Sequence, residues 1–271
     1  MGKRTLAHLA ILGLLALYML PIAWMLSTSL KPDDELFTEQ IRWIPNRIAW
    51  ENYQQALATF PFGLYLRNTV LIAGLTVVGA LLSCLPPAYA FARMRWRGRN
   101  FWFWVMLSTL MLPPQVTLLP VFLLFRQLGW VDTFLPLIVP AFLGNAFLIF
   151  MLRQFFLTLP QELIDAARLD GCSEWMILWR LVAPMSKPAV ATVALFSFVW
   201  AWTDFMNPLI YLNDSSKFTL AVGLQYFLGR HGEQWNLLMA AATVVTAPLV
   251  LLFLLTQRAY VRGITLTGLK G

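Results

Sequence analysis

Charge is scarce in this chain. Only 12% of its 271 residues are acidic or basic, whereas 59% are hydrophobic and the mean hydropathy is +0.67. A soluble domain carries about twice that charged fraction, so too few polar residues remain to cover a water-facing surface. Cysteine and histidine are almost missing as well: Cys84, Cys172, His8 and His231 are all there is. One cysteine in an apolar stretch and one in a polar loop make neither a disulfide framework nor a zinc cage, and no metal site is expected. The five lysines are Lys3, Lys31, Lys187, Lys217 and Lys270, and only Lys3 follows a glycine. A phosphate-gripping loop needs Gly-Lys-Ser/Thr closing a glycine-rich turn, so nucleotide hydrolysis would have to come from another chain. Neither a Gly-x-Ser-x-Gly elbow nor a nucleophile–base spacing is visible. Catalysis and a resident cofactor are therefore not expected.

What the chain does have is long apolar runs. Six stand out, at 6–30, 68–92, 101–125, 134–157, 188–212 and 236–258, each long enough to span a hydrocarbon core. Prolines at 21, 86, 87, 113, 114, 136, 140 and 248 fall within them. Such kinks are tolerated in lipid when neighbouring helices satisfy the freed carbonyls. The first run follows Lys3 and Arg4 but is too long for a secretory signal and is not clearly ended by a small-residue cleavage site, so it reads as an uncleaved anchor.

Net charge is +7, which fits basic inner loops better than nucleic-acid binding. With the N-terminus inside, 13 of the 20 basic residues fall on the inner side. The 93–99 connection, Arg-Met-Arg-Trp-Arg-Gly-Arg, is the strongest single vote. The expected fold is an all-α integral membrane protein with six transmembrane helices and both termini cytoplasmic. Its organisation would be an anchor helix and outer loop (1–66), a transmembrane core (67–261) and a cytoplasmic tail (262–271).

Segment 153–187 is far longer than a connection between two spans needs. A helix is expected at 161–169, with Pro160 near its start and Glu162 and Asp165 placed early, where the helix dipole favours acids. Leu163, Ala166 and Ala167 would form one small apolar face. Gly171 suits the left-handed turn that ends a helix, and Ser173 can cap a second helix with Glu174 in its first turn. Trp175, Leu178, Trp179 and Val182 give that second helix an apolar stripe, which fits packing beneath the bundle on the way into the fifth span. Two uses of the first helix stay open: resting on the membrane face, or inserting into a groove on a soluble partner.

Within the spans Asp204 is the one acid. At roughly 25 Å along a helix from Lys187, it lies towards the outer third and should face the bundle or a water-filled cavity. It reads either as a polar group on a solute path, with Asn207 beside it, or as a cap ahead of Pro208. Gln115 and Asn145 are weaker candidates of the same kind, equally suited to interhelical hydrogen bonding.

The segment Asp165-Ala166-Ala167-Arg168-Leu169-Asp170-Gly171, with Leu181 and Pro184 beyond it, resembles the "EAA" loop of permeases in binding-protein-dependent ABC importers. Asp165 stands where that pattern has glutamate, and Cys172 where it has alanine. Glu51-Asn52-Tyr53, Asn68, Leu112-Pro113-Pro114-Gln115 with Pro120, Trp202-Thr203-Asp204-Phe205 with Pro208-Leu209-Ile210, and the ending Gly263 to Gly271 extend the likeness. Together they narrow it to the carbohydrate-uptake branch, similar to the smaller maltose-type permease.

The resemblance implies an ABC importer type I permease fold in a bacterial inner membrane. Glu162, Asp165, Ala166, Ala167, Asp170 and Gly171 would couple to a cytoplasmic ABC ATPase dimer that binds Mg-ATP. It also implies a second permease subunit, usually different and larger, and an extracytoplasmic solute-binding protein. Gln115, Asp204 and Asn207 are the candidates for the solute path. A glycerol-phosphate permease is the near alternative. A secondary transporter would call for paired intramembrane charges and repeated half-folds, and a membrane-embedded transferase for an acidic or histidine cluster at one interface.

Overall fold

A computed structural model describes residues 3–37, 42–228 and 234–268, with side chains described for 5–37, 42–228 and 234–257. Of the residues singled out above, His231, Lys270 and Gly271 lie outside the described residues. All regular structure among the described residues is helical. Four helices are long and apolar enough to cross a membrane, at Thr5–Ser29, Phe62–Arg93, Leu135–Phe156 and Trp235–Gln257. Two further pairs are equally apolar but sharply bent.

The chain divides into two compact units. One comprises residues 1–63 and 220–250. It holds α1 (Lys3–Ser29), α2 (Glu51–Ala58), α13 (Leu220–Gly223) and the first half of α14 (Trp235–Gly268). Its organiser is a pair of buried asparagines. Asn52 Nδ2 donates to the carbonyls of Ser29 (3.0 Å) and Lys31 (2.8 Å), while Asn236 Nδ2 donates to Asp33 Oδ1 (2.7 Å) and the Lys31 carbonyl (3.4 Å). Carbonyls left over where α1 ends would be costly to bury unpaired, and these amides satisfy them. The Lys31 side chain is buried with its ammonium 4.1 Å from the Trp24 ring centroid. Burial pushes its pKa below the ordinary lysine value, an effect opposed by the charge of Glu35.

The other unit comprises residues 64–219 and 251–271. Its axis is α3 (Phe62–Arg93), which runs through Pro86 and Pro87 without a break. Ala80, Cys84, Leu85, Ala88, Tyr89 and Ala92 of α3 pack on Leu148, Ile149, Leu152, Phe155 and Phe156 of α7 (Ala146–Phe156). Small residues let the backbones approach closely. At Gly79 an added Cβ would lie 2.6 Å from the Phe142 ring, so a larger residue would displace that ring. Asn145, considered above for interhelical bonding, instead caps α7: its Oδ1 accepts from the amides of Phe147 (3.0 Å) and Leu148 (3.1 Å).

Three of the six apolar runs are not continuous helices. Run 101–125 divides at Leu112-Pro113 into α4 (Arg99–Ser108) with a short extension to Met111, and α5 (Pro114–Gln127), at 96°. Proline at 113 and 114 removes two backbone donors and forces Leu112 out of the helical region, at ψ 117°. Within run 134–157, α6 (Leu135–Ile138) precedes α7 and the chain breaks at Gly144, whose φ is +91°. Run 188–212 ends as a helix at Thr203, and α12 (Met206–Tyr211) follows after Asp204 and Phe205. The second helix of segment 153–187 is a composite: α9 (Glu174–Met176), a π-helical stretch over Ile177–Val182 and α10 (Ala183–Met185). It leads into α11 (Lys187–Thr203) through a bend of 86°, with Ile177, Leu178 and Val182 buried in the α3–α7 core.

Far along the chain from that bend, two loops are clasped together. Asp132, at φ +60°, accepts from the amides of Asn213 and Asp214 (3.0 Å each) and from Lys217 Nζ (2.7 Å). The Lys217 bond, with the two amides, holds its carboxyl at about 2, below the ordinary aspartate range. Asn68 Nδ2 ties α3 to the same loop through the carbonyls of Ser216 (2.9 Å) and Phe218 (3.0 Å).

Candidate functional site

Helix α8 spans Gln161–Leu169, the range its sequence pattern predicts. It ends in a Schellman turn. The Cys172 amide donates to the Ala167 carbonyl and the Gly171 amide to that of Arg168, both at 3.0 Å. Gly171 has φ +79°, the left-handed conformation glycine adopts without a steric penalty. Ser173 then caps α9, accepting from the Met176 amide at 3.3 Å.

The face of α8 turned towards the unit's core is set by a residue outside the small apolar face that the spacing gives. Ile164 is the anchor, 1% exposed in the core shared by α3, α7 and the 177–182 stretch, with Ala167 packed against the same cluster. Leu163 and Ala166, which share the small apolar face with Ala167, are exposed. On the exposed side lie Glu162, Leu163, Asp165, Ala166, Leu169, Asp170 and Gly171. Leu169 is 90% exposed. Exposed leucines rimmed by three carboxylates make a surface for a partner groove rather than a core face.

Polar contacts close a ring under this helix. Arg93, the last residue of α3, donates from Nε and Nη2 to the Phe156 carbonyl (2.9 and 2.6 Å). It also donates from Nη2 to the Leu159 carbonyl and from Nη1 to Gln161 Oε1 (2.7 Å). One guanidinium thereby satisfies the end of α7 and the turn into α8. Gln161 Nε2 donates to Asp165 Oδ1 (3.0 Å), and Arg168 Nη1 donates to the same oxygen (3.1 Å). Arg168 grips Glu174 with Nε (2.8 Å) and Nη2 (3.3 Å), and Tyr89 donates its hydroxyl to Glu174 Oε2. Arg168 Nη2 returns to the Arg93 carbonyl at 3.4 Å. The Glu174 bond is the main reason the Arg168 guanidinium is held above its ordinary pKa. A cavity of about 590 Å³ beside the ring is lined by Arg93, Arg95, Arg99, Gln161, Asp165 and Arg168.

Of the predicted loop residues, Asp165 joins this ring, Asp170 and Gly171 form the turn, and Glu162 and Ala166 face outward. Tyr89, Arg93, Ile164, Arg168 and Glu174 were not singled out as site residues by their sequence pattern. Asp204 and Asn207 are brought together: Asp204 Oδ1 accepts from the Asn207 amide (3.2 Å) and Oδ2 from its side chain (2.9 Å), capping the start of α12. Gln115, exposed in the first turn of α5, forms no hydrogen bond among the described residues.

Known proteins bear on this geometry. Residues 76–266 match the family model described as binding-protein-dependent transport system inner membrane component. The arabinooligosaccharides transport system permease protein AraQ of Halalkalibacterium halodurans is 34% identical, over 93% of this chain and 91% of its own. The sn-glycerol-3-phosphate transport system permease protein UgpE of Yersinia pestis is 32% identical, over 93% and 91%. Among solved structures, a bacterial ABC transporter involved in the import of the acidic polysaccharide alginate has a chain that superposes with a TM-score of 0.82 at 25% identity. The match covers 94% of this chain and 95% of that one.

The ring ranks its own members. Arg168 and Glu174 are about a third exposed, at 32% and 37%, so their pairing is worth at most ~1 kcal/mol. Removing Arg93 leaves the Leu159 carbonyl without a partner among the described residues and the Phe156 carbonyl with only the Leu159 amide, at about 1–3 kcal/mol. By hydrogen exchange, Arg93→Gln is expected to lower the opening free energy of residues 161–170 by more than Arg168→Gln does. The reverse order would contradict this ranking.

Proposed function

Since the chain belongs to the family of binding-protein-dependent transport system inner membrane components, we propose that it is the permease subunit of an ATP-driven importer for a carbohydrate. The observation that carries the proposal is α8: pinned from within by Ile164 and the Arg93 ring, it presents Leu163, Ala166 and Leu169 outward among acids. In this reading each bent pair counts as one span, giving six, with both termini and α8 on the cytoplasmic side of a bacterial inner membrane. The basic 93–99 segment supports that orientation. The helix docks in a cleft on one subunit of an ABC ATPase dimer, which alone binds Mg-ATP. A second permease completes the pathway, and a binding protein delivers solute to the outer face. The likeness to AraQ supports an oligosaccharide, and that to UgpE makes a phosphorylated polyol the second reading.

Mechanism follows from rigidity. Closure of the ATPase displaces α8. Its ring passes the displacement to the foot of α3 through Arg93 and through Glu174–Tyr89, and to α7 through the Phe156 carbonyl. At its other end α3 is tied by Asn68 to the loop that Asp132 clasps. Moving α3 therefore moves both ends of the unit, as alternating access requires.

Gln115, Asp204 and Asn207 are the proposed borders of the solute path. The support is that interrupted helices at membrane depth are tolerated where they line a cavity. Asn caps helices as well as Asp does. Asp204→Asn should therefore keep the fold while raising the uptake KM severalfold; an unchanged KM would reduce Asp204 to a cap.

Coupling is tested at Gly171. Arginine there adds a bulky cation to the docking surface and a left-handed strain of about 1–2 kcal/mol. Gly171→Arg is expected to cut uptake and solute-stimulated ATPase at least tenfold in the reconstituted transporter, with the chain still assembled in the membrane. Unchanged uptake and stimulation would refute docking through α8.

A further inference from the structure

The turn between α3 and α4 carries four arginines in seven residues, at 93, 95, 97 and 99, and the sequence has no acid between Glu51 and Asp132. Arg93 is consumed by the ring beneath α8, and Arg99 Nη1 donates to the Met94 carbonyl at 3.1 Å. Arg95 and Arg97 are exposed and make no hydrogen bond or ion pair among the described residues. Arg153 adds a further cation nearby, its guanidinium 4.1 Å from the Phe103 ring centroid. The carboxylate that shares a cavity with Arg93, Arg95 and Arg99 is Asp165, and it is engaged by Gln161 and Arg168. Cations left without a paired carboxylate repel one another, so this turn is complementary to an anion supplied from outside.

Two cavities give that anion a shape. One, of about 430 Å³, is lined by Arg95, Trp96, Gly98, Arg99, Asn100 and Phe101. Gly98, at φ +82°, turns the chain so that its two sides enclose this space. The second, of about 360 Å³, has apolar walls from Phe103, Trp104, Leu107 and Phe150, with Arg153 and Gln154 also lining it, and it shares Asn100 with the first. A basic hollow beside a largely apolar one is what a headgroup and its acyl chain require, whereas a free phosphate would leave the apolar half unfilled. The aromatic rings around it point the same way: Phe101, Trp102 and Trp104 are 65%, 55% and 68% exposed, as rings at a membrane–water boundary are.

We infer that the Arg95–Phe101 turn and the adjoining α4–α7 groove form a binding site for one anionic phospholipid. Arg95 and Arg97 hold its phosphodiester, and Asn100 bonds the headgroup's hydroxyls. Guanidinium forks match phosphate oxygens in pairs. Placement in the inner leaflet rests on the orientation proposed above. Arg95 and Arg99 also line the cavity beside α8, so a bound lipid would touch the element that receives the ATPase's stroke.

The assembled transporter is placed in nanodiscs of phosphatidylcholine containing spin-labelled phosphatidylglycerol or spin-labelled phosphatidylcholine, and the immobilised fraction of each is measured. Wild type is expected to favour phosphatidylglycerol. Arg95→Gln with Arg97→Gln is expected to reduce that preference at least threefold, and the same pair changed to Lys should retain most of it. Arg180→Gln, at an exposed arginine elsewhere in the unit, should leave it unchanged. A preference untouched by the Gln pair, or lost equally with Arg180→Gln, would overturn the site. Loss of ATPase co-purification with lipid preference intact would also overturn it, assigning the arginines to a protein partner. Both membrane faces are open in a nanodisc, so this readout does not depend on orientation. Labelling of Arg97→Cys, in a Cys172→Ser background, by an impermeant maleimide from outside the cell would refute the inner-leaflet placement and the topology, but not the site.

Discussion

Much of this structure depends on one guanidinium. Arg93 closes α3, and from that position it donates to the carbonyls of Phe156 and Leu159 where α7 ends and the following turn begins. The cation could have faced solvent. Turned inward, it fixes the distance between three helices, because a planar fork fits its acceptors in few ways. Ile164 supplies the apolar half of the same joint, buried where α3, α7 and the 177–182 stretch converge. Hydrogen bonds give direction and the isoleucine gives most of the burial energy, of the order of 1.5–3 kcal/mol for such a side chain.

That joint matters because coupling is a mechanical problem. A helix docked on an ATPase transmits force only if its other face cannot slip. The residues between Asn68 and Arg93 form a continuous rod of roughly 37 Å at 1.5 Å per residue, with the α8 ring at one end and the loops clasped by Asp132 at the other. Pro86 and Pro87 lie within this rod, yet the helix is continuous. The bends occur in α4–α5 and α10–α11, where prolines at 113, 114, 184 and 188 coincide with turns of 96° and 86°. A stiff element beside two bent ones is an arrangement that can move as a lever among hinges.

Much of this was legible in the residues. Four of the six apolar runs coincide with helices of spanning length and the other two fall in the bent pairs, while Pro160, Gly171 and Ser173 marked the start, turn and restart around α8, because caps and left-handed turns are local chemistry. What the pattern missed depends on contacts between distant segments. Spacing showed the small apolar face of Leu163, Ala166 and Ala167, but not that Ile164 beside it is the residue buried against α3, α7 and the 177–182 stretch. Arg168 and Glu174 are six apart, a spacing that brings nothing together on a helix, and the Schellman turn at Gly171 is what pairs them. Arg93 was one basic residue among four, with nothing local to mark it as the inward one. The interruption at Asp204 was foreseen as one of two readings; its bond to the Asn207 side chain makes the cap concrete, while the solute role waits on transport.

Rigid transfer from α8 to α3 is most directly tested with a pair of spin labels. One goes on Leu169→Cys, fully outside on α8, and one on Arg97→Cys beyond the foot of α3, in a Cys172→Ser background with Cys84 left buried. Distances are measured by double electron–electron resonance in the assembled transporter, nucleotide-free and trapped with ATP. If the ring holds, the distance distribution stays the same in the two states, while a label pair between Leu169 and the ATPase shifts. A change of several ångströms between Leu169 and Arg97, in a transporter that still couples hydrolysis to uptake, would show that α8 slips against α3 and would contradict transmission through the Arg93 joint.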